Sequence, residues 1–177
     1  MGHCKNLIAM CAKTHQPCPY AKYDGKCAVA ECENEVVPTF AQMVDIYVKT
    51  TKSSPLRVKR VIDMMLKLPV AFGLTKDDHA TLGISDWKEA YERLKNGRFG
   101  TDDYGKTIYI KGKGYDPATI QMFFAVFSAC AGKNDKNIRN MYVERGLTPP
   151  NCDFIPDVDF SGKSSEIETL STEKVRK

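Results

Sequence analysis

Apolar side chains recur at helical spacing in several parts of the chain. One run follows Thr39, and its apolar positions are Phe40, Met43, Val44, Ile46 and Tyr47. A second run begins at Pro55, which favours a first helical position, and Pro69 is expected to end it. The apolar positions of the second run are Val58, Val61, Ile62, Met65, Leu66 and Leu68. The pattern therefore predicts two helices between Thr39 and Pro69.

The clearest helix signals come later in the chain. Asp116 is a good N-cap and Pro117 a good first residue, and the apolar run that follows predicts a helix as far as Ala131. Apolar groups surround most of its circumference, so we expect it to be the central core helix. A further helix is predicted from Asp135 to Glu144.

Shorter elements are predicted between these two helical regions. A short helix is expected from Lys76 to Leu82, and a longer one with Ser85 as its N-cap should run to about Lys95. Thr107 to Lys111 alternates polar and apolar residues between two glycines, which is typical of a strand. A β-hairpin is therefore predicted near residues 104–113.

These elements indicate a mainly α fold with a small β-hairpin. The 42% hydrophobic content is that of a chain able to bury a core. Residues 36–150 are expected to form a helical domain. A cysteine-rich module, residues 1–35, precedes it, and an extended, largely disordered tail, residues 151–177, follows.

Composition limits where the protein acts. The longest apolar stretch, Met122 to Ala131, is about half of what a membrane span needs, and no secretion signal is recognised at the start of the chain. The seven cysteines are an odd number, which fits reduced thiols better than a disulfide framework. The expected location is therefore the cytoplasm, or the nucleus of a eukaryotic or virus-infected cell, with no secretion and no membrane partner.

Three of the clustered cysteines have a recognisable spacing. Cys18, Cys27 and Cys32 are separated by eight and four residues, and this resembles the first three ligands of a CCCH-type zinc finger. That family has a histidine four residues after the third cysteine, where this chain has Val36. The resemblance implies a structural zinc ion whose fourth ligand comes from another part of the segment.

Upstream residues offer that fourth ligand. Cys11 and His15 are four residues apart, a spacing that places both on one face of a helix, and Cys4 lies two turns earlier on that face. An iron–sulfur cluster is the alternative metal group. The non-metal alternative is a set of reduced cysteines that serve as small apolar residues.

The order of elements after Pro55 also resembles a winged helix-turn-helix. The resemblance implies that the helix after Ser85 reads DNA and that the hairpin is a wing touching phosphates. The residues it assigns to phosphate contact are Lys106, Tyr109, Lys111 and Lys113. Compared with that family, this chain has one residue fewer between Ala80 and Gly83. The expected reading helix also carries three acids, which are unfavourable beside DNA. The alternative is an ordinary solvated amphipathic helix.

Positive charge is concentrated in one segment, although the net charge of the chain is only +4. From Lys49 to Lys67 there are six basic residues and one acid, Asp63. Cations near a helix N-terminus oppose the helix dipole, so stability does not account for basic residues in the first turns after Pro55. The residues we expect to contact nucleic acid here are Lys52, Arg57, Lys59 and Arg60.

No catalytic motif is recognised, so we expect a protein that is not an enzyme. The leading hypothesis is a zinc-binding regulatory protein that contacts RNA or DNA. A cysteine-rich module ahead of a helical domain also looks like the layout of some viral transcription cofactors, which is an analogy. The alternative is a protein-interaction module: a viral or mobile-element inhibitor of a host system, or a structural subunit.

Overall fold

A computed structural model describes residues 36–161. The expected metal-binding module, residues 1–35, and residues 162–177 of the expected tail lie outside the described residues. The described part is mainly helical with one two-stranded antiparallel sheet, as predicted. Its elements are α1 Phe40–Thr50, α2 Pro55–Ala71, α3 Ile84–Asn96, β1 Gly97–Thr101, β2 Thr107–Lys111, α4 Pro117–Cys130 and α5 Lys136–Glu144.

Local capping explains why three of the helices begin where the sequence predicts. Thr39 forms a capping box with Gln42: the Thr39 hydroxyl accepts from the Gln42 amide at 3.1 Å, and the Gln42 side chain accepts in return at 2.9 Å. The Asp116 carboxylate caps α4, and the Asp135 carboxylate caps α5. Each cap satisfies amides that the first helical turn leaves without a partner.

Pro69 lies inside α2 and does not end it, so that prediction was wrong. A proline inside a helix removes one hydrogen-bond donor, at a cost of about 3 kcal/mol. Here the helix continues for two more residues, to Ala71, and Leu68, Pro69 and Ala71 are all buried. Burial of these apolar side chains offsets the cost of the missing hydrogen bond.

The helix expected from Lys76 to Leu82 does not form. The Asp78 carboxylate accepts from the backbone amide and the hydroxyl of Thr75, which closes a turn. The chain then hydrogen-bonds along the start of α1, where the Ala80 amide donates to the Pro38 carbonyl at 2.9 Å. Long-range backbone bonds therefore replace the local helix.

The start of α3 also differs from two predictions. The residue before α3 is Gly83, whose amide donates to the Asp86 carboxylate at 2.7 Å, so Ser85 is not the N-cap. Because α3 follows α2 with no helix between them, the helix-turn-helix that the winged-helix resemblance implied is not formed.

The hairpin begins earlier than the predicted range of 104–113. β2 is confirmed, but its partner β1 starts directly after α3, with Gly97 opposite Lys111 and Phe99 opposite Tyr109. Gly105, at a φ of +79°, and the Asp102 carboxylate, which accepts from two turn amides, close the connection. The two glycines in β1 hide its strand character in the sequence.

Helix α4 contacts α1, α2 and α3 and contributes buried side chains to the core, as predicted. It is not the single central helix, because α2 contacts α1, α3, α4 and β2 and one face of α4 is exposed. Trp87 of α3 is fully buried and packs edge-on against three rings, with centroid distances of 4.9 to 5.5 Å. These rings belong to Phe72, Phe124 and Phe127. The helices thus enclose an aromatic centre.

The first ten residues of the expected tail lie against the domain. Residues 151–160 have no helix or strand, yet Cys152, Ile155 and Val158 pack against the core. The Asp159 amide donates to the Tyr91 hydroxyl at 3.0 Å. Among the described helices, none is long and apolar enough to cross a membrane.

Candidate functional site

The residues predicted to bind metal are not part of the described chain. Cys11, His15, Cys18, Cys27 and Cys32, together with Cys4, all precede residue 36. Within residues 36–161, no three His, Cys, Asp or Glu side chains are grouped in a way that could hold a metal ion. The zinc site therefore stays a prediction.

The two described cysteines are poor nucleophiles. Burial raises the pKa of the Cys130 thiol to about 12, and burial also raises the pKa of the half-buried Cys152 thiol. A cysteine attacks as its thiolate, which both environments disfavour at neutral pH. The Cys130 side chain is fully buried in the core, and the Tyr142 hydroxyl donates to the Cys130 backbone carbonyl at 2.6 Å at the end of α4.

Two lysines of the predicted basic segment are already paired with carboxylates. Lys49 pairs with Asp45 at 3.1 Å, and Lys67 pairs with Asp63 at 2.9 Å, each within one helical turn. Arg93 and Lys95, at the end of α3, pair with acids of α3 in the same way. Cations that already have carboxylate partners contribute little to an anion-binding surface.

Arg57 and Arg60 stand apart from the other arginines. Residues 36–161 contain six arginines, and the remaining four are engaged with carboxylates or backbone carbonyls. The side chains of Arg57 and Arg60 make no hydrogen bond or ion pair with another described residue. Both are exposed, and both lie in the first two turns of α2, which has no acidic residue in its first turn.

The three cations of these turns do not form one patch. Arg57 and Arg60 are about 60° apart around the helix, whereas Lys59 is about 200° from Arg57. Arg57 and Arg60 line a cavity of about 330 Å³ between α2 and α4, and Lys59 does not. Lys52 is exposed on the connector between α1 and α2. Only two of the four predicted residues of this segment are thus brought together at one cavity.

That cavity combines charged and apolar lining residues. The apolar ones include Leu56 and Val61 of α2 and Met122, Ala125 and Ala129 of α4. The Leu56 side chain is 73% exposed and the Met122 side chain 42% exposed. Exposed apolar side chains beside unpaired cations are a feature of ligand and partner sites.

The hairpin does not present its four predicted residues together. Tyr109 points toward the core: its ring centroid lies 5.4 Å from that of Phe99, and its hydroxyl donates to the Arg93 carbonyl at 3.3 Å. Lys106, Lys111 and Lys113 are exposed. The opposite face of β2 carries Ile108 and Ile110.

Lys133 is a cation that the sequence analysis missed. It lies in the turn between α4 and α5 and lines a second cavity together with Arg57. The two residues are far apart in the sequence, so no spacing rule connects them. The sequence around Lys133 indicates only that it lies in a turn.

Comparison with known proteins does not identify a family: no family model, curated protein or solved structure matches the chain.

Proposed function

We propose that the protein binds RNA or DNA through phosphate contacts made by Arg57 and Arg60, and that it is not an enzyme. The observation that supports this is the absence of any partner for these two exposed arginines in the described part of the chain. Arginine matches phosphate because its planar fork donates two parallel hydrogen bonds.

Stability does not account for the arrangement. Two adjacent cations at the start of α2 repel each other and oppose the helix dipole, which costs a few tenths of a kcal/mol for each cation. A bound anion would be attracted to both cations and to the N-terminal end of the helix, which offsets these costs. An anion-binding role therefore explains a placement that folding alone disfavours.

The proposed contacts are to the backbone of the nucleic acid. The helix-turn-helix is not formed, and Tyr109 faces the core. Phosphate contacts position a protein on nucleic acid but do not read its sequence. We therefore expect little sequence preference and a strong dependence of affinity on salt concentration.

Changing Arg57 and Arg60 together to glutamine should weaken binding of a fluorescently labelled single-stranded oligonucleotide by about 10- to 100-fold. The negative slope of log affinity against log salt concentration should become shallower by about 1.4, because two phosphate contacts are lost. The melting temperature should stay the same or rise slightly. Fluorescence anisotropy at several salt concentrations, with a thermal melt of each variant, measures all three quantities.

Lys59→Gln is the matched control for this experiment. Lys59 is on the same helix, is exposed and has no ion-pair partner among the described residues, but it lies outside the cavity. Its replacement should change affinity less than about threefold, because a distant charge contributes only a screened attraction. Unchanged affinity and slope in the Arg57 and Arg60 variant would show that the pair is merely solvated.

A protein-interaction module is the second candidate function. It is favoured by Leu56 and Met122, whose exposed apolar side chains border the same cavity. A protein partner would bury this apolar surface and need not show a steep loss of affinity with salt. Salt-insensitive behaviour, with no binding to oligonucleotides, would favour this alternative.

We also propose that residues 1–35 bind zinc through Cys18, Cys27 and Cys32, with Cys11, His15 or Cys4 as the fourth ligand. Elemental analysis of the purified protein should find about one zinc per chain. Cys27→Ser should release the metal because a tetrahedral site needs all four ligands. The thermal transition of the helical domain should persist, because residues 36–161 bury a hydrophobic core among themselves. A metal-free protein with a folded N-terminal segment would contradict the proposal.

A further inference from the structure

A second cavity adjoins the first and is lined mainly by polar residues. It has a volume of about 520 Å³ and lies between the connector that joins α1 to α2, the outer face of α4 and the turn before α5. Four residues border both cavities: Tyr47, Arg57, Ala125 and Ala129. We call the second one the polar cavity and the first one the apolar cavity.

Two cations that are far apart in the sequence line the polar cavity. Arg57 approaches from α2 and Lys133 from the turn after α4, and neither side chain has an ion-pair partner among the described residues. Asp135 also lines the polar cavity, but its carboxylate already accepts from the amides of Asn137 and Ile138. The charges of these three residues sum to +1, so the polar cavity favours an anion.

Hydroxyl groups in the polar cavity supply a neutral donor as well. The Thr51 hydroxyl donates to the Ser53 hydroxyl at 3.0 Å, and the Tyr47 and Ser53 hydroxyls share a hydrogen bond at 3.4 Å. The polar cavity is lined by four hydroxyl groups, those of Tyr47, Thr51, Ser53 and Ser128. The two hydrogen bonds among the first three use two of their three protons, so one proton of this group is left to donate. Guanidinium, ammonium and hydroxyl donors that converge on one space are suited to a phosphate group.

We propose that the two joined cavities hold one nucleotide unit of a single strand. Its phosphate lies in the polar cavity between Arg57 and Lys133, and its base packs on Leu56 and Met122 in the apolar cavity. Arg57 belongs to both cavities, as a group at the junction of base and phosphate would require. This inference rests on the proposed function and adds Lys133 and the position of the base to it.

The size of the site agrees with this ligand. Volumes of about 330 and 520 Å³ fall within the range of small-molecule sites. Both cavities are open at the surface, so the strand can continue in either direction. A lone phosphate would leave the apolar cavity unused, whereas a nucleotide places one group in each cavity.

A double-mutant cycle tests whether Arg57 and Lys133 hold the same phosphate. The probe is a fluorescein-labelled oligothymidylate, and the variants are Arg57→Gln, Lys133→Gln and the pair together. Each single change should lower affinity about tenfold, and the pair should lower it much less than a hundredfold, because each contact depends on the other. Lys59→Gln serves as the matched control, with an expected change of less than about threefold.

A steric variant tests whether binding requires the space of the cavities or only the positive charge of the surface. Ala125 is exposed on α4 and borders both cavities, so Ala125→Leu narrows them without changing any charge. We expect a loss of affinity of about tenfold with an unchanged salt slope. Thermal melts identify any variant that fails to fold, and the other variants then carry the test.

The outcomes distinguish this inference from the proposed function. If Lys133→Gln and Ala125→Leu both bind as the wild type does while the Arg57 and Arg60 variant binds weakly, the nucleotide site is overturned and nucleic-acid binding stands. If thymidine monophosphate binds in an Arg57- and Lys133-dependent way but the oligonucleotide does not, the proposed function is overturned and the site takes a free nucleotide. Fully additive losses in the double-mutant cycle would show that Arg57 and Lys133 do not bind the same phosphate, which would overturn the proposed site.

Discussion

Replacing Trp87 with alanine is expected to lower the free energy of unfolding by about 3–5 kcal/mol. Its side chain is fully buried and contacts three phenylalanine rings, so alanine would leave a large cavity at the centre of the core. A loss of this size is a large fraction of the roughly 5–15 kcal/mol that stabilises a typical domain. Urea unfolding followed by far-UV circular dichroism measures it, because Trp87 is the single tryptophan and its fluorescence is lost.

Two further variants define the cause of this loss. Lys88→Ala changes an exposed neighbour on the same helix and should stay within about 0.5 kcal/mol of wild type. Trp87→Phe should have an intermediate cost, since it keeps an aromatic ring and removes an indole N–H that has no acceptor in the described part of the chain. A Trp87→Ala variant that loses less than about 1 kcal/mol would contradict the buried aromatic centre.

Replacing Gly114 with alanine is expected to cost about 2–4 kcal/mol. A Cβ atom at this position would overlap the backbone carbonyl oxygen of Lys95 at the end of α3. The chain would have to move away, which breaks the 2.9 Å bond from the Tyr115 amide to the Leu94 carbonyl. Chemical unfolding of the variant, compared with wild type, measures the loss.

Gly105→Ala is the control that separates the steric clash at Gly114 from the backbone cost of replacing any glycine by alanine. Gly105 has a positive φ of +79° but open space around its Cα, so alanine there meets only the backbone penalty of about 1 kcal/mol. Gly114 should be the more sensitive position. Equal losses at the two positions would mean that the segment before α4 adjusts freely to the added methyl group.

The reliable sequence predictions were those that depend on neighbouring residues. Thr39, Asp116 and Asp135 mark the starts of α1, α4 and α5 because a cap bonds to amides two or three residues away. The predictions around Lys76 to Leu82 and Ser85 failed where a segment hydrogen-bonds to a distant part of the chain. β1 was missed because its strand character comes from pairing with β2, not from its own glycine-rich sequence.

The candidate site shows the same division. The sequence identified Arg57 and Arg60 as cations that helix stability does not explain, and both are exposed without an acidic partner among the described residues. It could not show that Lys59 lies on the other side of α2 from the cavity. Lys133 was invisible to it, because only the packing of α2 against α4 brings that residue to the cavity that Arg57 lines.

The sequence by itself determined the mainly helical class, the approximate starts of three helices and the clustering of charge, since all of these follow from periodicity and contacts within one or two turns. Only the tertiary structure decided which cations are paired, which share a cavity and which face Tyr109 takes in the hairpin. The physical reason is that pairing, burial and cavity formation depend on where separate helices pack, and the energy of that packing is not contained in any local stretch of residues.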